Sequence, residues 1–149
     1  MTRIVLDTSV LISFLLTRGS TISRILDRWE SGDIEVVVSP GIIEELKRVA
    51  AEKRIAGKLK PGALDDLLQS LQEGALLIPG QLELPGATPD PGDDMVIACA
   101  VEGEASYIIT RDPHLLGLRE YEGILILDPE QFVSFFPPSP ASTSPRSQE

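Results

Sequence analysis

Six carboxylates stand where apolar stretches of this sequence give way to polar ones: Asp7, Glu44, Glu45, Asp93, Asp94 and Asp112. Grouped together, such side chains can hold a divalent cation that activates water and stabilises charge on a phosphodiester. Buried together without a cation, they repel one another and cost several kcal/mol. Their neighbours Thr8, Ser9, Ser39 and Thr110 carry hydroxyls that can orient a carboxylate or a phosphate.

The rest of the composition narrows the chemistry. One cysteine, Cys99, excludes an internal disulfide framework, and one histidine, His114, excludes a histidine-based zinc cage. A metal site here must use oxygen ligands, which favours Mg2+ or Mn2+. The net charge of −10 disfavours nonspecific nucleic-acid binding through a broad basic surface. Any contact with nucleic-acid phosphates would have to come from local cations drawn from Arg18, Arg24, Lys47, Arg48, Lys53, Arg54, Lys58, Lys60, Arg111 and Arg119, most of which ordinarily face solvent.

Those carboxylates need elements to position them. Ile4 to Leu6 reads as a buried strand ending in Asp7, and Thr8 and Ser9 can cap the helix that follows. Ile22, Ile25, Leu26 and Trp29 mark a second helix, broken at Gly32-Asp33. Residues 35–38 form a second strand, and Ser39-Pro40 starts a helix carrying Ile42, Leu46 and Val49. Residues 63–74 form another helix and 75–78 a third strand. The stretch 79–92, with four prolines and three glycines, reads as a long loop of the kind that often serves function. Asp93 or Asp94 then caps an alanine-rich helix, residues 107–109 form strand four, 124–127 strand five and 129–136 a last helix. Residues 137–149, rich in Pro and Ser, are expected to be a disordered tail to a domain spanning 1–136.

Short apolar strands alternating with helices predict an α/β domain with a mostly parallel sheet covered on both faces. Such sheets bind ligands outside the carboxyl ends of their strands. Asp7 and Asp112 fall at such ends, and the two acid pairs fall at helix starts where the helix dipole favours negative charge. Each acid alone fits ordinary capping, turn chemistry or surface charge. The coincidence of four segments is the signal. Glu45 lies beside the apolar stripe of its helix and is the inward candidate, whereas Glu44 faces Lys47 and Arg48.

These motifs together resemble the PIN-domain family, and within it the toxin-like members of toxin–antitoxin pairs. The resemblance spans about residues 3 to 136. It rests on Leu6-Asp7-Thr8-Ser9-Val10, on Ser39-Pro40 before a helix bearing Glu45-Leu46, on Asp93-Asp94 before an alanine-rich helix, and on Thr110-Arg111-Asp112 with Leu115. No one motif is specific, but all four occur in order. The resemblance implies a three-layer α/β/α sandwich with strand order 3-2-1-4-5 and a Mg2+- or Mn2+-dependent endoribonuclease. Carried over, the catalytic acids are Asp7, Glu45, Asp93 or Asp94, and Asp112. Asp7, Asp112 and one or both of Asp93 and Asp94 would be the metal ligands, with Glu45 placing the attacking water. Aligning the alanine-rich helix without a gap selects Asp93, and counting sixteen residues back from Thr110 selects Asp94. Asp93 is preferred and both are kept. Ser9 stands where many members have asparagine.

The resemblance also implies an RNA substrate, an antitoxin partner and a homodimer. The absence of a long apolar segment or a signal-peptide pattern makes a cytoplasmic protein without a membrane partner the expectation. The alternative from another class is a catalytically silent PIN module that binds RNA or protein. A haloacid-dehalogenase phosphatase would need an aspartate at Ser9, a receiver domain a lysine after strand four, and a dinucleotide-binding domain a glycine fingerprint that is missing.

Overall fold

The structure, a computed structural model, describes residues 2–17 and 21–135. Arg18, Gly19, Ser20, Phe136 and the expected tail at 137–149 lie outside the described residues. The first strand, β1 (Thr2–Leu6), runs into α1 (Thr8–Thr17) after a single residue, Asp7. Next come α2 (Thr21–Ser31), β2 (Ile34–Val38), α3 (Pro40–Ala50), a single-turn α4 (Lys53–Ala56), α5 (Ala63–Gly74) and a two-residue β3 (Leu76–Leu77). After the long loop follow α6 (Pro91–Glu102), β4 (Tyr107–Ile109), α7 (Pro113–Leu118), β5 (Glu120–Tyr121), β6 (Ile124–Leu127) and α8 (Pro129–Phe135).

The sheet order is β3-β2-β1-β4-β6-β5, parallel throughout except where β5 pairs with β6. The five expected strands therefore lie in the expected order, and a short antiparallel strand adds to one edge. β5 escapes the apolar periodicity because it is a two-residue hairpin arm, turned by Glu122 and Gly123 at positive φ. α4 and α7 are likewise too short for periodicity to reveal.

In β1 the three residues Ile4, Val5 and Leu6 are all buried, which requires helices on both faces of the sheet. Helix α6 packs on β1, β2 and β4, while α2 packs on β2 and α8 on β6. Among the described residues no single helix is long and apolar enough to cross a membrane. The chain leaves β1 toward β2 and β3 on one side, then returns to build β4 and β6 on the other. The reversal places a crevice at the carboxyl ends of β1 and β4, the position where open α/β sheets bind ligands. Asp7 sits there, its amide donating to the Ile109 carbonyl at 2.9 Å.

Candidate active site

Asp7 is held rigidly although it is a loop residue between strand and helix. Its Oδ2 accepts from the Thr110 hydroxyl at 2.7 Å and from the Ser9 hydroxyl at 3.0 Å. Each hydroxyl is itself fixed from behind. Thr110 Oγ1 accepts the Asp112 amide at 2.9 Å, and Ser9 Oγ accepts the Arg111 amide at 3.2 Å. Two side chains thus lock the end of β4 to the end of β1 and aim one carboxylate. Arg111 is anchored outward by a two-pronged pair with Glu130 of α8. Thr8, next to Asp7, keeps a buried Oγ1 with no hydrogen-bond partner beside the same cleft.

The third segment is α6. Its N-cap is Asp90, whose side chain accepts from Gly92 N, with Pro91 as the first helical residue. The expectation that Asp93 or Asp94 caps this helix is therefore corrected. An Asp-Pro pair suits a helix start better, because proline has no amide to leave unpaired. The loop is two residues shorter than expected, and Asp93 and Asp94 lie side by side within the first turn.

One residue apart on a helix means about 100° of rotation, and that rotation separates the pair. Asp93 lines a cleft of about 920 Å³ together with Asp7, Asp112, Asp90 and Glu45. Asp94 points to the other side and lines a second cavity of about 410 Å³ beneath the 79–90 loop. Its carboxylate accepts from the amides of Gly86 (3.1 Å) and Thr88 (2.6 Å) and from the Thr88 hydroxyl (2.8 Å). Two turns later Glu102 accepts the amides of Gln81 and Leu82. Asp94 ties down the loop, and Asp93 faces the cleft.

The electrostatics of the two differ accordingly. Burial raises the Asp93 carboxyl to about 7, with further contributions from a hydrogen bond to Asp112 and from the charges of Asp112, Asp90 and Asp7. Burial also raises Asp7, while the Thr110 and Ser9 hydroxyls pull it back down. Asp94 is lowered, first by the Thr88 hydroxyl. Among the described residues no lysine or arginine pairs with Asp7 or Asp93.

Asp112 caps α7, its Oδ1 accepting the His114 amide at 2.9 Å, so the cap and the cleft share one carboxylate. His114 touches Asp112 at 3.3 Å but is 89% exposed, in keeping with a surface histidine. Glu45 lines the cleft from α3 and is gripped by Arg48 through both carboxylate oxygens at 2.9 Å. Glu44 is exposed and pairs with Lys47, as its helix face implies, but Arg48 goes to Glu45 instead. Such pairs on exposed arginines contribute only about 0–1 kcal/mol.

Ser39 is a structural cap: its hydroxyl accepts the Ile42 amide at 3.3 Å from a buried position, and it lines the loop cavity rather than the cleft. Cys99 is buried in α6, and burial pushes its thiol up to about 12, so it is packing rather than chemistry. Asp90 and Met95 are among the cleft residues that the sequence reading did not place there. Asp90 was signalled by Asp-Pro ahead of the helix. Met95 was not signalled: a Cβ on Gly41 would lie 2.4 Å from its sulfur, so α3 and α6 approach closely only because residue 41 is glycine.

The donor set fits a hard divalent cation: oxygen atoms only, uncompensated carboxylates, and a buried hydroxyl without a partner. Among the described residues, no three Asp, Glu, His or Cys side chains are arranged to hold one ion together. A cation of the magnesium type needs only one or two carboxylates and keeps its remaining positions for water and phosphate.

Fold and site define an α/β domain with an acidic crevice at its topological switch point. The chain belongs to the PIN-domain family, whose profile matches residues 3–114. Its fold is similar to that of a chain in the VapBC2 structure from Rickettsia felis, determined bound to a DNA fragment from their promoter. That match has a TM-score of 0.60 at 12% identity and covers 84% of this chain and 97% of the other. A chain of FitAB bound to an IR36 DNA fragment gives a TM-score of 0.54 at 16% identity, covering 85% and 94%. No functionally curated protein matches the sequence significantly.

Proposed function

We propose that this PIN domain is a metal-dependent endoribonuclease and the toxin of a toxin–antitoxin pair. The observation that carries the reading is the meeting of Asp7, Asp93 and Asp112 from three chain segments in one cleft, with no lysine or arginine paired to Asp7 or Asp93 among the described residues. Asp7, Asp93 and Asp112 would hold Mg2+ or Mn2+, one or two of them directly and the rest through water, and the ion when bound lowers the pKa of water and neutralises charge on the phosphate. Ser9 and Thr110 keep the Asp7 carboxylate aimed. Asp112 keeps its position by capping α7, and Glu45 orients the attacking water once Arg48 releases it. Asp94 serves this site only through the loop it holds. Family membership and the fold's likeness to chains of VapBC2 and FitAB support an antitoxin partner. A basic side chain of that partner, inserted among the acids, would neutralise them.

The test is cleavage of mixed single-stranded RNAs by purified protein with Mg2+, Mn2+ or EDTA, beside Asp7→Asn. Cutting should require metal and vanish in the variant, with the melting temperature unchanged or higher because one buried charge is gone. Metal-dependent cutting by Asp7→Asn would sink the assignment. No cutting by folded wild type, together with no heat on metal titration, would favour the silent binding module.

A further inference from the structure

Two cations line the cleft among the described residues, Arg48 at the end of α3 and Arg54 on α4. They are 63% and 76% exposed. They form one chain of pairs with two acids: Glu45 with Arg48 (2.9 Å), Arg48 with Glu52 (3.7 Å), and Glu52 with Arg54 (3.1 Å). Resting on the nuclease reading above, we propose that Arg48 and Arg54 bind the phosphates of single-stranded RNA beside the scissile bond, and that Arg48 reaches the phosphate by leaving Glu45.

Three observations carry it. The chain has a net charge of −10, so RNA is repelled overall and must be held by cations at the cleft itself. Arg48 presents a planar fork to Glu45, using Nε and Nη2, and the same fork fits two phosphate oxygens. Its present pairs are exposed and screened, so exchanging a carboxylate for a phosphate loses little. The exchange has a consequence for the site: Glu45 is freed only when RNA has arrived. Substrate occupancy is thereby coupled to the availability of a cleft carboxylate.

The experiment measures fluorescence anisotropy of a labelled single-stranded RNA at several salt concentrations, in an Asp7→Asn background that prevents cutting. Arg48→Ala and Arg54→Ala should each weaken binding roughly tenfold and reduce the slope of log affinity against log salt by about 0.7, the value for one single-strand phosphate contact. Arg48→Lys should keep the slope but recover only part of the affinity, because the fork is lost. Glu45→Gln should tighten binding while Arg48 is present, and lose most of that gain in Arg48→Ala, the signature of direct competition in a double-mutant cycle.

Unchanged affinity and slope in both arginine variants, from a wild type that cuts RNA, would overturn the phosphate clamp and leave the nuclease standing. Equal tightening by Glu45→Gln with and without Arg48 would overturn the exchange, because general charge relief then explains it. A wild type that neither cuts nor binds RNA removes the nuclease reading and this inference with it.

Discussion

Asp93 and Asp94 are chemically identical neighbours in the first turn of one helix, yet they inhabit opposite electrostatic worlds. Asp94 meets three donors from a loop and is lowered; Asp93 meets other carboxylates and is raised to about 7. A carboxylate surrounded by donors is already satisfied and holds structure together. One surrounded by acids is poorly satisfied and is poised for a cation. The cleft and the loop cavity, both bordered by Met95, are thus a working face and a holding face of α6.

The sharpest way to break this comparison is to remove each acid in turn. Asp93→Asn should lower the RNA-cleavage rate by more than about 100-fold, beyond the loss typical of a residue that merely supports a ligand. Asp94→Ala should leave cleavage within a few-fold and instead lower the melting temperature and speed amide exchange in residues 79–90. Equal rate losses in the two variants would abolish the division of labour. Thr110→Val, which keeps shape but removes the donor to Asp7, should cost roughly 10–100-fold in activity or metal affinity. It should also destabilise the fold by about 1–3 kcal/mol, because the Asp112 amide loses its acceptor.

Stability against pH in EDTA should separate the two acids by sign. The folded value for Asp93 lies above its ordinary 3.8, so its contribution is full below 3.8 and is lost as pH rises toward about 7. The folded value for Asp94 lies below 3.8, so its contribution is present above 3.8 and is lost as pH falls through the folded value. In melting curves, Asp93→Asn should flatten the decline between pH 4 and 7, and Asp94→Ala should flatten the acid limb. The smallest effect concerns Cys99, which lies on the loop cavity with its thiol pushed up to about 12. Its reaction with a thiol reagent should be slow in wild type and in Asp93→Asn, and measurably faster in Asp94→Ala, where the loop is untied.

Much of this was legible in the residues. The five main strands could be read because buried parallel strands are apolar runs bounded by polar residues, as Ile4 to Leu6 and Tyr107 to Ile109 are, and their order was implied by the family resemblance. Four acid-bearing segments could be read because Asp7, Glu44-Glu45, Asp93-Asp94 and Asp112 closely follow strands or open a helix. Helix periodicity alone separates Glu45 from Glu44. The cap of α6 was misplaced by three or four residues because three aspartates, Asp90, Asp93 and Asp94, all suit a helix N-terminus. Only the backbone shows which one lies outside the first turn. Gly41 carries no sequence signal, since its role is the closeness of α3 to Met95.

Sequence alone therefore determined the α/β class and the set of acids from which a site could be built, because these depend on periodicity and local capping; the strand order came only with the family resemblance. Tertiary structure decided which of two adjacent aspartates enters the cleft, which two of many surface cations join it, and which hydroxyls hold Asp7. Those choices depend on the rotation of α6 against the sheet and on loops meeting from distant parts of the chain. Contacts such as Thr110 with Asp7, 103 residues apart, leave no periodic trace in the sequence.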